Sequence, residues 1–217
     1  MNNQKKKIGI TLRIEKIKKY NEKRDAISHD WVEFLEKLNV IPIFIPNTLN
    51  NTKQFLEEMK LDGLIMSGGD NKGDDIERDK TEKEIIEFAM ERKIPLLGIC
   101  RGMQIINNFF GGNQVTTNDM KHVIEHHKIH LIDDVVQNHF QTKEMEVNSF
   151  HNNIINKNSI GKNLEIFALA EMDNTVEGFY HEKFPILGIM WHPEREQNTS
   201  KEIELMKIFY EKIFWSK

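Results

Sequence analysis

One cysteine stands in the chain, in the stretch Gly98-Ile99-Cys100-Arg101-Gly102. An apolar run precedes it and a helix-period run follows it, which is the frame of a nucleophile held on a sharp strand-to-helix turn. Such a turn strains the backbone at the nucleophile. Flanking residues without side chains let neighbouring backbone come close. Sulfur placed there lies at a helix N-terminus, where the dipole and free N–H groups favour thiolate, the reactive form. A lone cysteine can equally be a metal ligand or a small core residue, and the glycine frame is what favours the nucleophile.

A thiolate needs a group that accepts and returns protons, and donors for a tetrahedral oxyanion. Trp191-His192-Pro193-Glu194-Arg195 carries an imidazole and a carboxylate two residues apart, with a proline fixing the backbone between them. As spacing alone, the same triplet also suits a surface turn. Ser67-Gly68-Gly69-Asp70 supplies a glycine turn whose N–H groups, with that of Arg101, can face an oxyanion. Taken alone, a Gly-Gly pair also reads as an ordinary turn.

Each of the three stretches follows a strand-like run, and the elements around them must bring these ends together. Ile8 to Ile10, Val40 to Pro46, Leu61 to Met66 and Ile94 to Ile99 read as short buried strands. Between them, apolar residues at helical spacing predict helices over Asp25 to Leu38, around Phe55 to Met59, over Asp79 to Lys93 and over Met103 to Phe110. Strands alternating with helices predict an α/β fold with a mostly parallel sheet covered on both faces. The carboxyl ends of such strands border the ligand crevice. The second half predicts strands over His130 to Val136, Lys143 to Ser149, Leu164 to Ala170, Thr175 to Tyr180 and Ile186 to Trp191, then a helix from Lys201 to Phe214. Gln114 to Gln141 is polar and His-rich, and reads as loop or short strands.

With 217 residues, 39% apolar and 29% charged, the chain suits one α/β domain spanning 1–217 with a real core. A net charge of −4 gives no bulk electrostatic case for nucleic acid or an anionic membrane. No apolar run approaches the roughly 18–20 residues of a membrane helix. The basic start Met1 to Lys7 lacks the apolar core of a signal peptide, so a cytoplasmic protein is expected.

Taken in order, the motifs resemble the class I glutamine amidotransferase family, and more narrowly its γ-glutamyl hydrolase branch, which includes γ-glutamyl-γ-aminobutyrate hydrolases. The matching stretches are Gly63 to Asp70, Arg78-Asp79, Pro95 to Gly112, Val147 to His151, Ala170 to Phe179 and Gly188 to Arg195. The resemblance implies a flavodoxin-like doubly wound sheet. It implies Cys100 as nucleophile, His192 as base and Glu194 as orienter, with oxyanion donors near Gly68, Gly69 and Arg101. It also implies substrate contacts from Gln104 and from Asn148, Ser149, Phe150 and His151. The chemistry implied is attack on a γ-glutamyl carbonyl, release of the amine and hydrolysis of a thioester.

The sequence departs from many γ-aminobutyrate-type members by continuing His151 with Asn152-Asn153. Its length, Ile10 to Arg13, Arg24-Asp25 and Val147 to Asn152 look like one subgroup, the γ-glutamyl-CDP-amidate hydrolases of bacterial surface-polysaccharide phosphoramidate synthesis. An anionic diphosphate leaving group would favour cations at the pocket mouth, with Arg13, Arg24 and Arg101 as candidates. The plainer role for Arg13 and Arg24 is a solvated surface charge. The alternatives are a γ-glutamyl-γ-aminobutyrate-type amide hydrolase, a glutaminase subunit feeding a separate synthetase, and a non-catalytic module that keeps the fold.

His122, His126, His127 and His130 include pairs at i, i+4, with Asp133 and Asp134 nearby. The cysteine chemistry needs no metal, and a solvated loop is the expectation. No cofactor, nucleic acid or membrane partner is expected. The partner is a small γ-glutamyl substrate, and a homodimer is compatible with the sequence. The run Lys16 to Lys19 reads as a solvated face.

Overall fold

The computed structural model describes residues 5–117, 122–123, 126–195 and 200–210. β1 (Lys7–Thr11) leads into a hairpin of β2 (Arg13–Ile17) and β3 (Glu22–Ala26). Then come α1 (His29–Lys37), β4 (Ile41–Ile45), α2 (Thr52–Met59), β5 (Gly63–Met66), α3 (Ile76–Arg92), β6 (Leu96–Ile99) and α4 (Arg101–Phe109). The second half holds β7 (Val115–Thr116), β8 (His126–Leu131), α5 (Asp134–Phe140), β9 (Glu144–Asn148) and β10 (Asn153–Ile154). It ends with β11 (Leu164–Ala170), β12 (Val176–His181), β13 (Ile186–Ile189) and α6 (Ser200–Tyr210).

The main sheet runs β4-β1-β5-β6-β13-β12-β11-β8-β9. From β4 to β13 every neighbouring pair is parallel. From β13 to β9 every pair is antiparallel. β5, β6 and β13 are buried at every position, which is why they read as unbroken apolar runs rather than alternations. Strand order reverses at β1: the chain steps to β4 on one side and then to β5 and β6 on the other. Right-handed crossovers therefore place α1 on one face and α2, α3 and α4 on the other, where α3 touches both α2 and α4. This is the doubly wound arrangement the sequence predicts, extended by an antiparallel half.

Several predicted boundaries move for local reasons. The helix expected from Asp25 begins at His29, because Ser28 caps it by accepting from the Asp30 N–H at 3.3 Å, a cap worth about 1 kcal/mol. Asp25 belongs to β3 instead, where its carboxylate accepts from Asn47 at 2.7 and 3.0 Å. The strand expected over His130 to Val136 ends at Leu131. Asp133 caps α5 by accepting from the N–H groups of Val135 and Val136, at 2.9 and 3.2 Å. The β2–β3 hairpin has no counterpart among the predicted elements. Lys16, expected on a solvated face, pairs with the buried Asp75 at 3.1 Å and ties the hairpin to the start of α3. The end of the predicted last helix, from 211 onward, lies outside the described residues.

Candidate active site

β1, β5, β6 and β13 all end at the same edge of the sheet, beside the reversal of strand order. Cys100 follows β6 with φ 49° and ψ −103°, and its N–H donates to the Ile189 carbonyl of β13 at 2.8 Å. A side chain other than glycine next to this turn would collide. A Cβ on Gly98 would lie 2.6 Å from the carbonyl carbon of Gly102, and one on Gly102 would press on the Met66 carbonyl. The bend that exposes the sulfur to the strand ends thus depends on both glycines. The cysteine is buried, directly at the N-terminus of α4.

His192 follows β13. Its Nδ1 lies 2.7 Å from Glu194 Oε1, so the carboxylate fixes the tautomer and leaves Nε2 for the sulfur. Burial opposes the charged imidazole. Hydrogen bonds to Cys100 and then Glu194, with the charges of both, outweigh it and push the His192 pKa up to about 9. The backbone of His192 is clamped by Asn148 at the end of β9: Asn148 Nδ2 donates to the His192 carbonyl at 2.7 Å, and the His192 N–H donates to Asn148 Oδ1 at 2.8 Å. Gly68 packs under the ring, since a Cβ there would lie 2.6 Å from His192 Cε1.

The glycine turn is held from behind by Arg78, a fully buried side chain of α3. Its Nη2 donates to the carbonyls of Ser67 and Gly68 at 2.8 and 2.9 Å. In a planar trans peptide the N–H points opposite to the C=O, so the N–H groups of Gly68 and Gly69 are turned away from Arg78. Glu82, fully buried, accepts from Arg78 Nε at 2.9 Å and also pairs with Arg101, which reaches Asp79 at 2.6 Å. Burial pushes the Arg78 pKa down, Glu82 opposes this, and the Arg101 charge adds to the lowering. Two guanidiniums therefore share one buried carboxylate under the turn.

The Arg101 side chain, expected among the cations at the pocket mouth, is spent in this pairing, and only its backbone remains for the site. Arg24 is exposed on the hairpin, pairs with Glu22 at 2.8 Å and does not line the cleft beside His192. Arg13 does line it, with Ser28, Trp31, Gly69 and Arg195. The segment expected to contact substrate is largely engaged elsewhere. Asn148 holds His192, the Ser149 hydroxyl donates to the His122 carbonyl at 2.7 Å, and His151 Nδ1 meets the Asn153 carbonyl at 3.0 Å. Phe150 remains exposed, with its ring edge-on to His192 at 6.0 Å and the Arg195 guanidinium 4.8 Å above it. Gln104 is buried in the first turn after Cys100, near Met190 Sδ at 3.8 Å.

Glu82 and the clamping roles of Arg78 and Asn148 are not among the residues the sequence singles out. A signal existed for the first two. Arg78 and Glu82 are spaced i, i+4 in line with Ile85, Ile86 and Ala89, so two charges occupy the apolar stripe of α3. Nothing in the sequence marks Asn148 as a partner of residue 192.

The sequence profile of the Peptidase C26 family matches residues 7–194. A γ-glutamyl-CDP-amidate hydrolase of Campylobacter jejuni is 35% identical over 95% of this chain and 98% of its own length. The smaller match to a glutamine-hydrolysing GMP synthase subunit of Methanobrevibacter smithii is 32% identical over 82% of this chain and 85% of its own. Among solved structures, a GMP synthase-type subunit of Thermoplasma acidophilum superposes with a TM-score of 0.73 at 22% identity, covering 97% of this chain and 94% of the other. The chain therefore belongs to the Peptidase C26 family, of the class I glutamine amidotransferase-like type, and is a hydrolase of amide carbon–nitrogen bonds.

Proposed function

We propose that this enzyme hydrolyses a γ-glutamyl–nitrogen bond with Cys100 as nucleophile, His192 as proton carrier and Glu194 as orienter, and that its substrate is γ-glutamyl-CDP-amidate. The observation that carries the chemistry is the His192–Glu194 contact of 2.7 Å, placed against a cysteine on a positive-φ turn. The likeness to the Campylobacter hydrolase over nearly all of both chains supports the substrate. So do Arg13 and Arg195 in the cleft, where an anionic diphosphate would leave.

In this reading the Cys100 thiolate attacks the γ-carbonyl carbon and forms the C–S bond. The oxyanion is met by N–H groups of the Gly68-Gly69 turn and of Arg101. The tetrahedral species collapses, the C–N bond breaks, and the nitrogen leaves with the His192 proton as cytidine diphosphoramidate. His192, now neutral, takes a proton from water. The hydroxide attacks the thioester, the C–S bond breaks, and glutamate departs, restoring thiolate and imidazolium. The product would serve phosphoramidate decoration of surface polysaccharide.

The test is glutamate release from γ-glutamyl-CDP-amidate, γ-glutamyl-γ-aminobutyrate and glutamine, by the wild type and Cys100→Ala. Turnover of the nucleotide substrate alone, abolished in Cys100→Ala, is the expected result. Arg13→Ala should then raise KM for that substrate about tenfold and leave glutamine turnover unchanged. Preference for the small amides would overturn the substrate and keep the chemistry. The likeness to the GMP synthase of Methanobrevibacter smithii favours a second reading, a glutaminase acting with a separate synthetase. Glutamine hydrolysis that rises when a synthetase partner is added would select it.

A further inference from the structure

Beside the clamp on His192, three buried side chains that the chemistry does not use converge, with a fourth, His127, against one of them. β8 alternates, so His127 turns inward while His126 and Lys128 face out. His127 is 8% exposed, His151 5%, His122 1% and Glu177, on β12, 0%. The residues come from three stretches of the chain, around 122–127, 151 and 177, and tertiary packing rather than helical i, i+4 spacing brings them together.

Two of the imidazoles are already oriented from outside. His122 Nε2 lies 2.8 Å from Asp173 Oδ2, and His151 Nδ1 lies 3.0 Å from the Asn153 carbonyl. Each leaves its other nitrogen facing the centre. There, His122 Nδ1, His151 Nε2 and both Glu177 oxygens are buried without a hydrogen-bond partner, and so are both nitrogens of His127 beside them. Glu177 Oε2 is 3.7 Å from His127 Nε2, and Glu177 Oε1 is 3.7 Å from His151 Nε2, beyond hydrogen-bond length. Ligand atoms of His122, His151 and Glu177 all lie within 4.8 Å of one another. The ring of His122 is 5.0 Å from that of His151 and 6.1 Å from that of His127. A fully buried carboxylate without a donor is costly, as are converging imidazoles without a shared partner. A cation at the centre gives the carboxylate and each imidazole a partner.

We propose that His122, His127, His151 and Glu177 form a structural Zn2+ site. Three imidazoles and one carboxylate are a donor set for a borderline divalent ion. Mg2+ and Ca2+ take oxygen ligands. The carboxylate behind His122 and the carbonyl behind His151 are the outer partners that zinc-bound imidazoles carry. In a tetrahedral zinc site neighbouring ligand atoms sit about 3.4 Å apart, so His122, His151 and Glu177 close inward by roughly 1 Å on binding and His127 moves in further. All four protein positions are filled, which leaves the ion closed to substrate. Its role is to fix β8, β12 and the stretch after β9 against one another, next to the Asn148 that clamps His192. The site is independent of the substrate proposed above.

The experiment uses the full chain, stripped with a chelator and dialysed. Zn2+ is titrated against a chromogenic chelator, Co2+ binding is followed by visible absorption, and thermal unfolding is recorded with and without metal. Expected are about one Zn2+ per chain, the visible bands of tetrahedral Co2+, and a metal-dependent rise in Tm. His127→Gln and Glu177→Gln should each weaken binding about 100-fold or more, while His126→Gln, exposed on the same strand, binds as the wild type. Substoichiometric binding with no Co2+ bands and no shift in Tm overturns the proposal. So does a bound metal that both His127→Gln and Glu177→Gln retain at wild-type affinity. Because the readouts are binding, spectrum and Tm of the wild type, a variant that fails to fold does not decide the matter, and the glutamate-release assay stands or falls separately.

Discussion

The parallel and antiparallel halves of the sheet meet at β13 and treat buried polar groups in opposite ways. In the parallel half, Glu82 sits between the guanidiniums of Arg78 and Arg101, and the charges are matched in place. In the antiparallel half, Glu177 sits among three imidazoles and accepts no hydrogen bond from them. The first network grows from α3 and the start of α4, whose rigid spacing lets the partners find each other. The second is assembled from strand ends and connecting segments, which bring atoms to one centre and leave the centre itself to be filled. The glycine turn over the first network carries the proposed chemistry. The second network lies beside the segment that holds His192 in register.

The contrast can be broken at several points. The largest effect should come from Gly102→Ala. Its methyl would meet the Met66 backbone carbonyl rather than a flexible side chain, and a loss of about 3 kcal/mol or more in urea unfolding is expected. Near-normal stability would mean that the parallel half is less tightly set than described. Next, Glu82→Gln strips the shared carboxylate from two buried guanidiniums and should cost about 3 kcal/mol. Glu177→Gln, measured in metal-free protein, should cost less than about 1 kcal/mol, because it removes a buried charge that has no hydrogen bond. Equal losses in these two variants would erase the distinction between the halves.

Asn148→Ala tests the link between them. With both backbone bonds to His192 gone, kcat should fall about 10–100-fold with KM close to wild type, since the imidazole is misplaced while the cleft is intact. A change confined to KM would instead return Asn148 to the substrate contacts. The smallest expected effect is a pH profile. The raised pKa of His192 keeps its imidazolium to about pH 9. Protonation of the leaving nitrogen should therefore persist up to that pH and decline above it. In Glu194→Gln, with one stabilising partner of the imidazolium gone, the alkaline limb should move to lower pH. An unmoved limb would assign it to another group.

The parallel half was the more legible, for a physical reason. Its signals are local: an apolar run buried on both faces, a glycine turn, a helix. Gly98 to Gly102 and Ser67 to Asp70 each declare strand, turn and chemistry within a few consecutive residues. The antiparallel half is legible over β11, β12 and β13, which follow one another closely along the chain, and less so before them. β8 is hidden in a polar stretch because half of its residues face water, and α5 because Asp133 starts a helix where the apolar pattern of a strand continues. The hairpin of β2 and β3 escapes a sequence reading because its residues are mostly charged and exposed, without an apolar alternation, and Lys16 and Lys23 find their partner in Asp75, some fifty residues along the chain.

By itself the sequence determined the glycine frame around Cys100, the strand ends that precede Cys100, His192 and the Gly68-Gly69 turn, and the family, because each rests on contiguous residues. The tertiary structure alone decided which arginine reaches the cleft. It buried Arg101 against Glu82 and Asp79, left Arg24 outside and set Arg13 beside Gly69. It likewise clamped the His192 backbone with Asn148 and gathered the buried His122, His127, His151 and Glu177. Such roles are fixed by which side chains meet across strands and loops, and that is set only when the sheet closes its register.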